Sequence, residues 1–192
     1  NHAWVLSRVA VEMKRYPKVN ENYEMTTWIE SYNRHFSKRN MEITDQNGET
    51  IGYVRTVWMI IDLASRGGAD IDLYGNIADY VSERPCPIEP ISRLRMTGDA
   101  IRKSEYTFKY ADCDVNRHVN TVRYVELLLN QFTLEQFDKS FVERFEIAFY
   151  KETRYGDTAE VMMEGNEDDC KLSVKVNGEC HCCARFRLAP RK

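Results

Sequence analysis

The sequence predicts an α+β protein made of two tandem antiparallel units, with a sheet wrapped around a long central helix. Three observations carry this. Residues alternate with a period of two through most of the chain, as half-buried strands do. A single segment in the second half repeats its apolar residues at helical spacing. The Asn-Gly pair occurs twice, at Asn47-Gly48 and Asn177-Gly178, each time between two strand-like runs, so one unit reads as having been duplicated.

Taken in order, Val5, Ser7, Val9, Val11 and Met13 keep the period of two, as do Met25, Thr27, Ile29 and Ser31. A hairpin follows, with "NMEIT" and "TIGYVRTVWMIID" joined by "DQNGE", where Asn47-Gly48 supplies the positive-φ residues of a tight turn. The second of these strands places Ile51, Tyr53, Val57, Met59 and Ile61 on one face. From Ser65 the pattern breaks into "SRGGAD" and the proline-rich "ERPCPIEPIS", which predicts an extended connection over the surface. The expected organisation is a first unit over 1–64, a connecting segment over 65–100 and a second unit over 101–192. The second unit opens on the strand "EYTFKY" and a helix from about Arg117 to Phe132, with Val119, Val122, Val125, Leu128, Leu129 and Phe132 as its apolar stripe. "RFEIAFY" and "AEVMMEG" read as strands, and the chain closes on the hairpin "KLSVKVNGECHCCARFRL". A three-residue loop there pairs Leu172, Val174 and Val176 with Ala184, Cys182 and Cys180 and gathers apolar residues on one face, so it is preferred to a two-residue loop. In the first unit the chain opens directly at "AWVLSR", so that unit's own first strand and helix are expected to precede Asn1.

Composition removes several classes of function. The 192 residues are 43% hydrophobic and 30% charged with a net charge of −3, which argues against disorder and against nucleic-acid binding by bulk positive charge. No apolar run approaches the roughly 18 residues of a membrane span, and no signal peptide opens the chain. Six cysteines without a secretion signal read as reduced thiols of a cytoplasmic protein. "CHCC" lacks the C-x2-C pairs of a structural zinc site, so neither metal nor cofactor is expected.

The chemistry-bearing stretch is "YADCDVNRHVN", Tyr110 to Asn120. Asp112, Asp114 and Asn116 alternate like the opening of a calcium loop, but Arg117 and Arg123 stand at the sixth and twelfth positions, where an EF-hand needs glycine and glutamate. Individually, Asn116 reads as a helix cap, His118 as a satisfied, partly buried histidine and Glu152 as a solvated charge.

Read together, "AWVLSR", "RYP", the "TTW" strand, "DQNGETIGYVRTVWMIID", "DCDVNRHVNTVRYVE" and "FYKET" resemble the acyl-ACP thioesterases of bacteria and plant plastids, in family order from Trp4 to Thr153. The resemblance implies a tandem hot-dog fold and hydrolysis of fatty acyl chains from acyl carrier protein in fatty acid biosynthesis. It also implies a functional set at Asp114, Asn116, His118 and Glu152. Some family members carry a cysteine directly after that glutamate. This chain has Thr153, so direct attack by water is expected in place of a thiolate. Glu152 or His118 would take the proton, Asn116 would orient the water or carbonyl, and Asp114 would fix a neighbouring rotamer. A helix beginning near Arg117 would offer N–H groups to the oxyanion. An acidic carrier protein would meet cations such as Arg93, Arg95, Arg102, Lys103, Arg191 and Lys192. The resemblance leaves homodimer formation open. An acyl-CoA thioesterase of the same fold and a non-catalytic acyl-binding module are the alternative readings.

Overall fold

A computed structural model describes residues 2–65 and 67–191, except for the side chain of Tyr74, and the chain divides into two compact units, Asn1–Ser92 and Arg93–Lys192. The first is an antiparallel sheet of four strands, β1 (His2–Met13), β2 (Tyr23–Tyr32), β3 (Phe36–Asp45) and β4 (Thr50–Asp62), in the order β2-β3-β4-β1. Because β4 lies between two partners and is covered on both faces, Ile60 and Thr56 are as buried as Ile51, and the expected one-sided alternation is lost. Ile60 packs on Ala69 and Ile71 from the segment that follows, which includes two short 3-10 turns, Ile71–Tyr74 and Ile77–Tyr80. Among the described residues this unit has no α-helix.

The proline-rich stretch does not simply run over the surface. Cys86 and Ile88 are buried against Trp28, whose indole N–H donates to the Arg84 carbonyl at 2.8 Å. The Arg84 guanidinium lies 4.3 Å above the Trp28 ring, and Arg55 donates to the Cys86 carbonyl at 3.2 Å. Residues 65–92 thus belong to the first compact unit, and residues 93–100 to the second.

The second unit holds β5 (Ile101–Thr107), α1 (Thr121–Leu129), α2 (Leu134–Lys139), β6 (Ser140–Phe149), β7 (Thr158–Gly165), β8 (Asp169–Val176) and β9 (Glu179–Pro190), with sheet order β6-β9-β8-β7-β5. Tyr124 of α1 packs its ring between Phe108 and Phe149, and Leu127 and Leu128 bury beside it on the same helical face. Behind the sheet, Leu94 packs on Ala148 and Cys183. Both faces of β9 are therefore covered, which is why the adjacent Cys182 and Cys183 are both buried. A sheet with a helix on one face, in a chain whose strand pattern is repeated in tandem, is the hot-dog arrangement expected from the sequence.

Two expectations are corrected. The helix starts four residues later than Arg117, at Thr121, because Asn120 and not Asn116 caps it, with Oδ1 accepting from Val122 N at 2.9 Å. Val122, expected on the buried stripe, is exposed, and Tyr124 takes the core face instead. The closing hairpin combines both loops considered. Its tip is a two-residue turn, with Asn177 at φ 51° and Gly178 at φ 80°, pairing Val176 with Glu179. A bulge at His181 then shifts the register, so that Val174 meets Cys182 and Leu172 meets Ala184 as expected.

Candidate active site

The stretch from Tyr110 to Asn120 folds as two consecutive turns rather than as the start of a helix. Asp112 is buried and closes the first, accepting from Tyr106 Oη at 2.9 Å and Lys109 N at 2.7 Å. Asp114 closes the second. Its Oδ1 accepts from Asn116 N at 2.8 Å and His118 N at 3.3 Å, and its own N–H donates to the His118 carbonyl at 2.9 Å. The turn is tight enough to hold Arg117 at φ 64°. The alternating acids of the sequence are thus spent on local backbone N–H groups. Among the described residues no cluster of His, Cys, Asp and Glu could hold a metal ion.

This turn delivers His118 to Glu152. His118 Nε2 lies 3.1 Å from Glu152 Oε2, and both side chains are partly open to solvent. The two residues are far apart in sequence and are joined by backbone, since Val119 N donates to the Thr153 carbonyl at 2.8 Å and His118 forms an antiparallel bridge with Arg154. Glu152 sits in the segment that joins β6 to β7, just after a bend at Lys151. Glu152 meets His118, while its neighbour Thr153 is fully buried.

Of the four expected site residues, His118 and Glu152 are brought into contact. Asp114 acts on the backbone of the loop rather than on either side chain of that pair. Asn116 is exposed at the loop's tip, beside the almost wholly exposed Val115. The oxyanion site expected at a helix end near Arg117 is not available. The N–H groups of Asn116 and His118 are given to Asp114 Oδ1, that of Arg117 to the Asp114 carbonyl, that of Val119 to Thr153 and that of Asn120 to Asp112. Of the cations proposed to meet a carrier protein, Arg93, Arg95, Lys103 and Arg191 are exposed. Arg102 is already paired with Glu105 and Glu160, and Lys192 lies outside the described residues.

The sequence reading missed what lies behind the pair. Thr153 Oγ1 is 2.8 Å from Nδ1 of His181, which is itself buried, and the buried Tyr124 stands beside Thr153. Burial pushes the Tyr124 phenol well above its ordinary value and lowers the His181 imidazole below its own. The signal for His181 is present in "CHCC", as the polar residue in an otherwise apolar run from Cys180 to Ala184, which the sequence alone reads as small side chains on a strand or as a metal site. The six cysteines are free thiols. Burial raises Cys183 to about 12 and Cys170 to about 11, so neither supplies a thiolate at neutral pH.

Comparison with known proteins agrees with this architecture. The acyl-ACP thioesterase N-terminal domain matches residues 1–72, and the acyl-ACP thioesterase C-terminal domain matches residues 97–187. A crystal structure of an acyl-ACP thioesterase from Bacteroides thetaiotaomicron superposes with a TM-score of 0.92 at 37% identity, covering 98% of this chain and 77% of that one. The 12:0-ACP thioesterase from Umbellularia californica shares the fold, with a TM-score of 0.86 at 19% identity over 99% of this chain and 76% of that one. An acyl-[acyl-carrier-protein] hydrolase of Cuphea viscosissima is 28% identical over 79% of this chain, and a palmitoyl-acyl carrier protein thioesterase of Arabidopsis thaliana is 27% identical over 79%. The chain spans 38% and 39% of the length of these two curated relatives. With both domains matched in order and a solved relative of this identity, the chain belongs to the acyl-ACP thioesterase family.

Proposed function

We propose that this protein hydrolyses the thioester of a fatty acyl chain carried on acyl carrier protein, by direct attack of water, with Asp114, Asn116, His118 and Glu152 as its working set. The observation that carries this reading is the 3.1 Å contact between His118 Nε2 and Glu152 Oε2 in a solvent-reachable position. An imidazole joined to a carboxylate accepts a proton as a unit, one partner taking it and the other stabilising the charge that results. A water oxygen bonds to the thioester carbonyl carbon while its proton passes to the pair. Collapse of the tetrahedral adduct breaks the C–S bond, and the departing sulfur takes the proton back. The products are a free fatty acid and the carrier's thiol. The N–H groups of residues 116–120 are committed, and the exposed side-chain amide of Asn116 is a donor available to the carbonyl oxygen. Asp114 holds the loop that presents both Asn116 and His118.

A nucleophile at position 153 would lie on the sealed side of the segment, which favours water over a covalent route. The partner would be an acidic carrier protein, met by exposed cations such as Arg93 and Arg95. Free thiols throughout support a reducing compartment such as the cytoplasm. Among the described residues no helix is long and apolar enough to cross a membrane.

The test is thiol release from acyl-ACPs and acyl-CoAs of several chain lengths, by wild type and His118→Ala. Acyl-ACP turnover that falls by about 10²–10⁴ in the variant is expected for loss of a general acid–base group. Turnover confined to acyl-CoA would replace the proposed substrate. Binding without turnover would make the protein an acyl-binding module.

A further inference from the structure

Glu152 lies outside every strand, so something must fix its backbone for the carboxylate to meet His118. One residue does most of this. His181 is the bulged residue of β9, passed over when Cys180 pairs with Lys175 and Cys182 with Val174. Freed from the ladder, its carbonyl accepts from Tyr150 N at 2.9 Å and Lys151 N at 3.3 Å. Nδ1 of its ring lies 2.8 Å from Thr153 Oγ1. Tyr150, Lys151 and Thr153, which flank Glu152 on both sides, are thus gripped by a single histidine. The Thr153 carbonyl passes the constraint to Val119, next to His118, by accepting from Val119 N at 2.8 Å.

Burying two polar side chains is costly unless each is bonded, and apolar residues of the same size would fill the space more cheaply. A bonded buried pair does specify one geometry, and here it stands directly behind Glu152. We propose that His181, together with Thr153, is a positioning residue that sets the Glu152–His118 contact. The idea rests on the hydrolytic reading above and goes beyond it, since both residues are buried behind the pair.

The experiment is a double-mutant cycle on acyl-ACP hydrolysis. Thr153→Val keeps the volume and removes the hydroxyl, and Thr153→Ser restores it. A displaced catalytic contact costs rate more than binding, so kcat in Thr153→Val should fall about tenfold or more, with KM within about twofold and recovery in Thr153→Ser. In a Glu152→Ala background the same substitution should change the residual rate little, because its effect runs through Glu152. His181→Gln, run through the same cycle, serves where Thr153→Val does not fold. An unchanged kcat in folded Thr153→Val and His181→Gln overturns the proposal, as does a loss of equal size in both backgrounds. Failure of the hydrolytic reading looks different, because Glu152→Ala alone would then keep its turnover.

Discussion

Both units bury polar side chains in order to bind an irregular segment to a sheet, but they put the device to different ends. In the first, Asn40 donates to Glu30 Oε2 at 2.6 Å, Arg55 reaches the same carboxylate at 3.4 Å, and Glu42 accepts from Thr50, Tyr53 and Arg84. The result is a proline-rich strap held down over Trp28. In the second, Thr153 and His181 hold a segment whose neighbouring side chain, Glu152, is partly open to solvent and meets His118. The same physics gives a closed structural tie in one unit and an open His118–Glu152 contact, the proposed acid–base pair, in the other. The difference lies in one joining segment, which seals residue 153 and leaves residue 152 partly open.

Replacing a carboxylate in each unit breaks this comparison most sharply. Glu152→Ala should lower kcat/KM by about 10²–10⁴ with little loss of stability, as removal of a partly exposed acid–base group does. Glu42→Ala should do the reverse. It strands the hydroxyls of Thr50 and Tyr53 and should cost about 2 kcal/mol in denaturant unfolding, leaving kcat nearly unchanged. Should Glu42→Ala also abolish turnover, the division of labour between the two networks is wrong.

The buried histidine gives a pH signature that the first unit's network lacks. Burial lowers the folded-state value of His181 below its ordinary 6.5, with Asp157, Glu179 and Lys151 as the charges that face it. In the window below about 6.5 the unfolded chain binds the proton first, so this contribution to stability is present above that pH and is lost as the pH falls through the depressed folded value. The wild-type urea midpoint should drop between pH 7 and pH 5 by more than that of His181→Gln. Parallel curves for the two proteins would show that His181 does not titrate in this way.

What could be read from the sequence follows from how local each signal is. Strands such as His2–Met13 and Thr158–Gly165 announce themselves because alternation is a local pattern. The contact of His118 with Glu152 leaves no such trace, and only the family resemblance brought the two residues together. The helix start was misplaced because Asp114, Asn116 and Asn120 are all acceptable caps, and the choice falls to Asn120 only once Asp114 has closed its own turn. Tyr124 was passed over as a core residue because its hydroxyl hides a ring that packs on Phe108 and Phe149. His181 was hidden by a bulge, which no count of alternating residues contains.

The two Asn-Gly turns test how far such local signals reach. At the first, Asp45 caps the loop, accepting from Asn47 N and Glu49 N, and Gly48 alone takes positive φ, at 79°. At the second, both Asn177 and Gly178 do so. The same dipeptide marks each reversal but makes a different turn, because the flanking strands demand different registers. Asn177→Ala forces a Cβ-bearing residue without the amide's local bonding into the left-handed region, and should cost about 1 kcal/mol. Asn47→Ala imposes no such conformation and should fall within about 0.5 kcal/mol of wild type. Equal losses in the two variants, measured by denaturant unfolding, would show that the turns share one geometry and that the register in the second hairpin is not set by its bulge.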